Sequence, residues 1–570
     1  MTSAIRAVAI DYDGTLTDTA RPGGEVLTAL RDARGRGLAV VLVSGRILSE
    51  LWADFAGVDD EFDAIVAENG AVLADADGIQ DLAEPVDPLL AQSLAHREVP
   101  VRQGRVLLAC DTRHAEVVLE EITRLGLDWQ VVRNRGALMV LPGGVTKGTG
   151  LTQALGNLGI SRHSTLAVGD AENDHHLLAV CELGVAVANA VDALKDRADL
   201  VLDEPDGEGV AALLTGPLLE GSVRLPPRHW RLTLGRDTAG SPVQIPASQV
   251  NLLLTGGSCS GKSHLAGLLV EQLVRLGYSA LVIDREGDHR ALADRRGILA
   301  VGGPEPLPGA AQLTALLRHR FGSVVLDLSL HDDAAQQDYL REIGPSLLAQ
   351  RAVTGLPHWI VLEEAHTLAA GFEPWAQTLA GTTGLCSSTY QPDALPAAAR
   401  QAVDLLVITA GEGHGAPAAL QHVAETTGRP PDELQQLLGT QRGRALLVAA
   451  DGQAAPVAFT VGQRASGHVR HWHKYIDAKL PERLRFYFRA SDRIAVNVRE
   501  FHRHLGACPA HTIAEHVHAH DFSRWIGDVL QDAELAREIT LAEQWLRDGH
   551  HPAETVRDTI QHAIEHRYLE

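Results

Sequence analysis

Residues 8–18 read VAIDYDGTLTD, an apolar strand that runs directly into Asp11 and Asp13. In open parallel sheets, ligands bind at the carboxyl edge of the strands. Two carboxylates two residues apart can both face a metal there, and Mg2+ prefers such oxygen ligands. Three further motifs follow in order: VVLVSGR (40–46) carries Ser44, GGVTKGTGL (143–151) carries Lys147, and LAVGDAENDHHLL (166–178) carries Asp170, Asn173 and Asp174. Up to residue 215, short apolar strands alternate with helical stretches, which predicts a parallel sheet with helices on both faces.

Taken in this order, the four motifs resemble the haloacid dehalogenase (HAD) phosphatase superfamily. AENGAVL (67–73) and the VTKG spacing resemble its Cof-type branch, in which a cap domain lies between the second and third motifs. The resemblance implies an α/β fold: a HAD Rossmann-like core over residues 1–216 with a small α/β cap at about 86–145. It also implies roles. Asp11 would attack phosphorus and form an aspartyl-phosphate. Asp13 would protonate the leaving oxygen and then activate water. Ser44 and Lys147 would bind the transferring phosphoryl group. Mg2+ would be held by Asp11, the Asp13 carbonyl and Asp170, with Asp174 beside it or holding a metal-bound water. Aspartate rather than threonine two residues after the nucleophile fits a phosphatase rather than a pump. In the cap, one helix (HAEVVLEEITRLG) is expected between the strands GRVLLAC and LDWQVV. Arg133 and Arg135 are candidates to meet an anionic substrate, although a solvated strand face is the commoner place for such arginines.

TGPLLEGSVRLPPRH (215–229) reads as a linker. A second α/β set follows, with strands at VNLLLTG, SALVID, SVVLDL, HWIVLEE, GLCSSTY and LLVITAG. LLLTGGSCSGKSHL (252–265) contains GxxxxGK[ST] from Gly256 to Ser263, after an apolar strand and before a helical pattern, which is the context this motif requires. Backbone N–H groups of Gly256, Gly257, Ser258, Cys259, Ser260 and Gly261 would cradle the phosphates of ATP. Lys262 would reach the β- and γ-phosphates, and Ser263 would bind Mg2+. In HWIVLEEAHTL (358–368), Glu363 can hold the Mg2+ shell and Glu364 can polarise an attacking water, which favours hydrolysis over transfer. With LVIDREGDH, STYQPDAL and GRALLVAADGQAAPVAF, these stretches resemble the HerA/FtsK family of ring-forming ATPases. That resemblance implies a RecA-like P-loop core over 222–464, Gln391 as a γ-phosphate sensor, and a homo-oligomeric ring, most simply a hexamer. The arginine finger of that family has no clear counterpart, and Arg429, Arg442 and Arg444 are candidates.

With 570 residues and 45% hydrophobic content, the chain should form two to four domains. The formal charge of −23, from 50 basic and 73 acidic residues, excludes a general nucleic-acid coat; DNA contact would need a local basic surface. The absence of a long apolar run and of a basic-then-apolar leader leads to the expectation of a cytoplasmic protein without a membrane. The five scattered cysteines form no CxxC pair, so neither a disulfide framework nor a Cys-rich zinc site is expected. Only five lysines occur, and two of them, Lys147 and Lys262, fall inside phosphate-binding motifs. Where arginine is the default cation, such a lysine marks a need for a compact ammonium.

Residues 465–570 read as a mostly helical domain holding 13 of the 27 histidines. His516, His518 and His520 with Asp521 are candidate metal ligands, but their period of two suits a strand rather than a helix; Trp525, Val529 and Leu530 suit a helix core face. The whole chain reads as a bifunctional protein, a Mg2+-dependent phosphatase joined to an ATP-hydrolysing, helicase-like ring, with DNA a candidate for the translocated polymer. Two alternatives are an enzyme that cleans DNA 3′-phosphate ends and a phosphatase whose ATP-binding ring is a regulatory scaffold.

Overall fold

The computed structural model describes residues 4–19, 21–134, 136–257, 260–411, 415–466, 476, 480, 482–489, 493–530 and 532–569. Strands β1 (Ala7–Asp11), β2 (Ala39–Val43), β3 (Ala64–Ala67), β4 (Val72–Asp75) and β5 (Gly78–Asp81) come first. Four cap strands follow, β6 (Arg102–Gln103), β7 (Leu108–Asp111), β8 (Trp129–Asn134) and β9 (Ala137–Pro142). Then come β10 (Thr165–Gly169), β11 (Leu183–Ala186) and β12 (Leu200–Val201). The core sheet runs β12-β11-β10-β1-β2-β3-β4-β5. It is parallel from β12 to β3, with β4 and β5 added antiparallel. Near-continuous apolar runs such as AVAID and TLAVG are buried along their whole length, as expected of strands covered on both faces. Asp11 and Asp170 are thereby placed side by side at the carboxyl edge, because β1 pairs directly with β10.

The cap is a four-stranded antiparallel sheet, β6-β7-β9-β8. It carries two helices where one was expected. Besides Ala115–Leu125 there is Pro88–His96, with Pro88 in the first turn and the Asp87 side chain accepting the Leu89 N–H. Proline at the first helical position and aspartate at the cap are ordinary start signals. Leu90 and Leu94 are fully buried and seat the helix on the cap core.

A second sheet contains β13 (Arg231–Arg236), β14 (Pro242–Pro246), β15 (Leu252–Gly256), β16 (Ala280–Asp284), β17 (Ile298–Gly302), β18 (Ser323–Asp327), β19 (Trp359–Leu362), β20 (Leu385–Thr389), β21 (Leu405–Thr409), β22 (Arg444–Ala449) and β23 (Val457–Val461). Its order is β14-β13-β23-β22-β21-β15-β20-β19-β16-β18-β17. The strands from β21 to β17 are parallel, and β22, β23, β13 and β14 add an antiparallel flank. β15 leads into the GxxxxGK[ST] loop. One strand, β20, separates it from β19, which ends at Leu362 just before Glu363. Apolar cores form on both faces of this sheet.

Beyond it, five helices (Val498–Gly506, Ala510–His518, Asp521–Asp528, Ala533–Arg547 and Ala553–Ile564) close on a core that includes Phe486, Phe501, Phe522, Trp525 and Leu530. The proposed histidine ligands do not converge. His516 is buried, with Nδ1 2.9 Å from Asp521 Oδ2, while its Nε2 accepts the Arg489 N–H at 2.9 Å. The His518 ring is exposed and bonds back to the Ala514 carbonyl within its own helix. His520 sits outside that helix at φ 54° and faces Glu543. A period of two sends successive side chains around a helix by about 200°, so no common ligand face exists. Among the described residues, no helix is long and apolar enough to cross a membrane.

Residues 215–229 are not a loose tether. They include a short helix, Pro217–Glu220, and the Arg228 N–H is accepted by Asp199 at 2.7 Å. The next residue, Trp230, donates its indole N–H to the Cys181 carbonyl at 2.7 Å. The two sheets then meet through their amino edges. The Glu182 carboxylate receives the Tyr278 hydroxyl at 2.8 Å and the Ser248 hydroxyl, and lies 2.8 Å from His163 Nδ1. The His163 ring stacks on Tyr278 with centroids 3.6 Å apart. Glu182→Ala would leave these buried donors without their acceptor, so a loss of about 2–4 kcal/mol is expected. Urea unfolding measures it; an unchanged midpoint would mean that the network contributes nothing to stability.

Candidate active sites

At the carboxyl edge of the first sheet, β1 and β10 deliver Asp11 and Asp170, and the turn after β10 delivers Asp174. All three carboxylates are buried, and each offers an oxygen within 4.8 Å of the others. Lys147 begins the helix Lys147–Leu158, whose cap Thr146 accepts the Thr149 N–H. Its ammonium, 1% exposed, donates to Asp11 at 2.6 Å and to Asp174 at 2.7 Å. The second Asp174 oxygen accepts the N–H groups of Asp170 and Ala171, each at 3.0 Å. Thr15 bridges Asp170 at 3.1 Å and Asp11 at 3.4 Å. Burial pushes the Asp11 carboxyl well above its usual range, and neighbouring Asp174 adds to this against Lys147. Burial pulls the Lys147 ammonium down, but Asp11 and Asp174 outweigh it and hold it above its ordinary value. Three buried carboxylates against one ammonium leave an excess of negative charge among hard oxygen donors, a donor set that fits Mg2+.

Ser44 is fully buried just past β2, and its hydroxyl accepts the Arg46 N–H at 3.1 Å. Asn173 lies 3.4 Å from Asn69. The Asp13 carboxylate is not part of the metal cluster. It is one-third exposed and held by Arg46, whose Nε lies 3.0 Å from both of its oxygens. Arg46 also lies over the Tyr12 ring at 4.9 Å.

Arg46 was not singled out from the sequence, although it stands two residues after Ser44; nor was Glu68. Glu68 has a positive φ of 53° and a fully buried carboxylate. It accepts three cap N–H groups, from Arg105, Val106 and Leu107, at 2.8–3.0 Å. A Cβ on Gly104 would come within 2.5 Å of that carboxylate, so only glycine lets the cap approach so closely. Between cap and core lies a cleft of about 440 Å3 lined by Asp13, Arg46, Glu50, Asp54 and Arg102, among others. Arg133 points to solvent on β8 and is not one of its lining residues; Arg135 lies outside the described residues.

The second site is the loop after β15. Ser258 and Cys259 lie outside the described residues. Gly256 and Gly261 take φ of 142° and 100°, open to glycine alone without strain. Lys262 begins the helix Lys262–Leu276 and folds back onto the loop, donating to the Gly257 carbonyl at 2.8 Å. Ser260 pairs with Thr409 on β21 at 2.5 Å. Glu363 is buried and accepts from Ser263 at 3.2 Å and Ser388 at 3.0 Å, with His289 Nε2 at 3.1 Å. Burial alone would raise the Glu363 carboxyl, but the His289 contact outweighs it and lowers it. Glu364 occupies a left-handed conformation, φ 47° and ψ 46°, at the cap of helix Ala365–Ala380. Burial pushes its carboxyl up to about 7, against the pull of Lys262. Gln391, exposed, follows β20 by two residues. Arg429 is engaged by Glu433 and by the carbonyls of Gly452 and Ala454, and Arg444 by that of Leu437, whereas Arg442 is exposed.

The first site, three buried carboxylates and a lysine at the carboxyl edge of a parallel sheet, has the donor set for a divalent cation. Residues 105–214 match the haloacid dehalogenase-like hydrolase family. The chain is 34% identical over 216 residues to a phosphoglycolate phosphatase of Methanothermobacter thermautotrophicus, covering 36% of this chain and 96% of that protein. It is 33% identical over 224 residues to the phosphoglycolate phosphatase of Archaeoglobus fulgidus, covering 37% and 95%. A solved Thermoplasma acidophilum structure aligns with 22% identity and a TM-score of 0.32, covering 37% of this chain and 96% of that one. Through its N-terminal portion the chain belongs to the haloacid dehalogenase-like hydrolases, and that portion is a HAD-type phosphatase domain. Added Mg2+ should raise the thermal midpoint of the protein, and Asp170→Asn should weaken Mg2+ affinity by about tenfold or more; calorimetric titration reads both.

Proposed function

We propose that the N-terminal portion hydrolyses small acidic phosphomonoesters of the phosphoglycolate type with Asp11 as nucleophile. The observation that carries this reading is the buried set of Asp11, Asp170 and Asp174 around Lys147. Asp11 attacks phosphorus as the bond to the leaving oxygen breaks, and Asp13 gives that oxygen a proton. Asp13 then takes a proton from the water that attacks the aspartyl-phosphate and frees Asp11. Mg2+, held by Asp11, Asp170 and the Asp13 carbonyl with Asp174 close by, would offset the repulsion between carboxylate and phosphate. Lys147 and Ser44 hold the phosphoryl oxygens. Arg46 keeps Asp13 in place at the cleft and is shared with Asp54, while Arg102 is paired with Glu50. Asp11→Asn should lower phosphoglycolate hydrolysis by at least about 10³-fold; activity near that of the unaltered protein would exclude Asp11 as nucleophile.

We propose further that residues 222–464 bind and hydrolyse ATP as a RecA-like, HerA/FtsK-like module. The support is the loop after β15 with Lys262 and Ser263, facing Glu363 and Glu364 across β20. Lys262 would exchange its loop carbonyls for phosphate oxygens, Ser263 and Glu363 would hold Mg2+, Glu364 would orient water, and Gln391 would sense the γ-phosphate. A neighbouring subunit would supply the missing arginine, for which exposed Arg442 is the best-placed candidate, in a closed ring of about six copies. A DNA strand would then meet arginines only locally in the pore. Lys262→Ala should weaken ATP binding, and Glu364→Gln should bind ATP without turning it over, while both retain phosphatase activity. ATP hydrolysis at the normal rate in both variants would remove the motor reading, and light scattering with ATP and Mg2+ tests the ring.

A further inference from the structure

The parallel strands of both sheets carry their candidate sites at the carboxyl edges, and the sheets meet through the opposite, amino edges. A cavity of about 110 Å3 lies in that junction. Ile5 and Arg6 precede β1, Ser164 precedes β10, and His358 precedes β19, so the cavity belongs to neither site described above. It is far larger than the roughly 10–15 Å3 that one water needs.

Its polar lining is one-sided. Arg6, Arg224 and Arg351 line it, and no aspartate or glutamate does so among the described residues. Arg224 is paired with Asp404 at 3.3 Å. Arg351 spends its donors on neutral oxygens: the His358 carbonyl at 2.9 Å, the Thr383 carbonyl, and the Thr382 hydroxyl at 3.3 Å. Arg6 donates to the Arg351 carbonyl at 3.3 Å, which brings two cations together across the junction. Burial, and then the charge on Arg6, lower the Arg351 guanidinium to about 10, so it remains charged at neutral pH.

Two residues of the lining, His358 and Ser164, carry buried donors that are unused. His358 Nδ1 accepts the Ser279 N–H at 2.8 Å, and burial holds the ring neutral, so its proton sits on Nε2. That Nε2–H has no partner. The Ser164 hydroxyl, on a residue 1% exposed, has none either. A buried donor left unmade costs about 1–3 kcal/mol. The rest of the lining is aliphatic, including Leu183, Leu218, Leu348 and Leu379.

We propose that this junction is a binding site for a small aliphatic carboxylate. The carboxylate would accept from Ser164, from His358 Nε2 and from the arginine pair, and its short chain would lie on the leucines. Since both halves of the molecule contribute groups, the ligand ties the phosphatase core to the P-loop domain, and its occupancy biases how firmly the two are held.

Butyrate is the probe, titrated by calorimetry into the full-length protein. Saturable 1:1 binding is expected, with hydrogen-exchange protection at residues 4–7 and 381–385 and none at 11–18 or 256–263. Ser164→Ala should weaken binding about tenfold. Val223 lines the cavity yet is 51% exposed, so Val223→Trp should block the cavity without disturbing the fold. That variant should abolish binding and leave phosphatase and ATP hydrolysis intact. No saturable binding, protection confined to 11–18, or full affinity in both variants would overturn the proposal. Inorganic phosphate protecting 4–7 and 381–385 where butyrate does not would overturn the carboxylate assignment.

Discussion

Three carboxylates, Asp11, Asp170 and Asp174, are buried within 4.8 Å of one another, and the ammonium of Lys147 is the cation set among them. Charges out of water are costly unless they are paired and hydrogen-bonded, and this requirement organises the first domain. Asp174 is satisfied by two backbone N–H groups as well as by Lys147. Gly70 and Gly150 let the helix that begins at Lys147 press against the turn after β3; a Cβ on Gly150 would come within 2.6 Å of Gly70. The remaining negative charge is what makes the site receptive to a divalent cation and, through that cation, to a phosphate.

The second domain handles its lysine differently. Lys262 donates to the carbonyls of Gly256 and Gly257. Those bonds are to neutral acceptors, while Glu363 is kept to one side by Ser263, Ser388 and His289. In both sites the motif cation is a compact, buried lysine. That is the niche an ammonium fills better than a guanidinium fork.

The back-to-back arrangement of the sheets gives the chain its unity. The carboxyl edges that carry the candidate sites lie away from the junction, and the amino edges are joined through Glu182, His163 and Tyr278. Removing any one partner from such a buried polar network leaves the others unsatisfied.

Much of this was legible in the sequence. Apolar runs ending in aspartate, serine or glutamate mark buried parallel strands, since a strand covered on both faces must be apolar along its length. Asp11, Asp170 and Lys147 could be read from such local context, as could the loop from Gly256 to Ser263. Arg46, Glu68 and Glu182 could not, because their partners lie 33, 38 or 96 residues away and pairing at that range depends on strand order. The histidines near 516 fell the other way: a local spacing was legible, but the helix beneath it pointed them apart. Residue type and local periodicity determined which edges would carry chemistry, because side-chain direction follows backbone period. Only tertiary packing decided which charges meet, because a charge's stability depends on the burial and partners that distant segments bring to it.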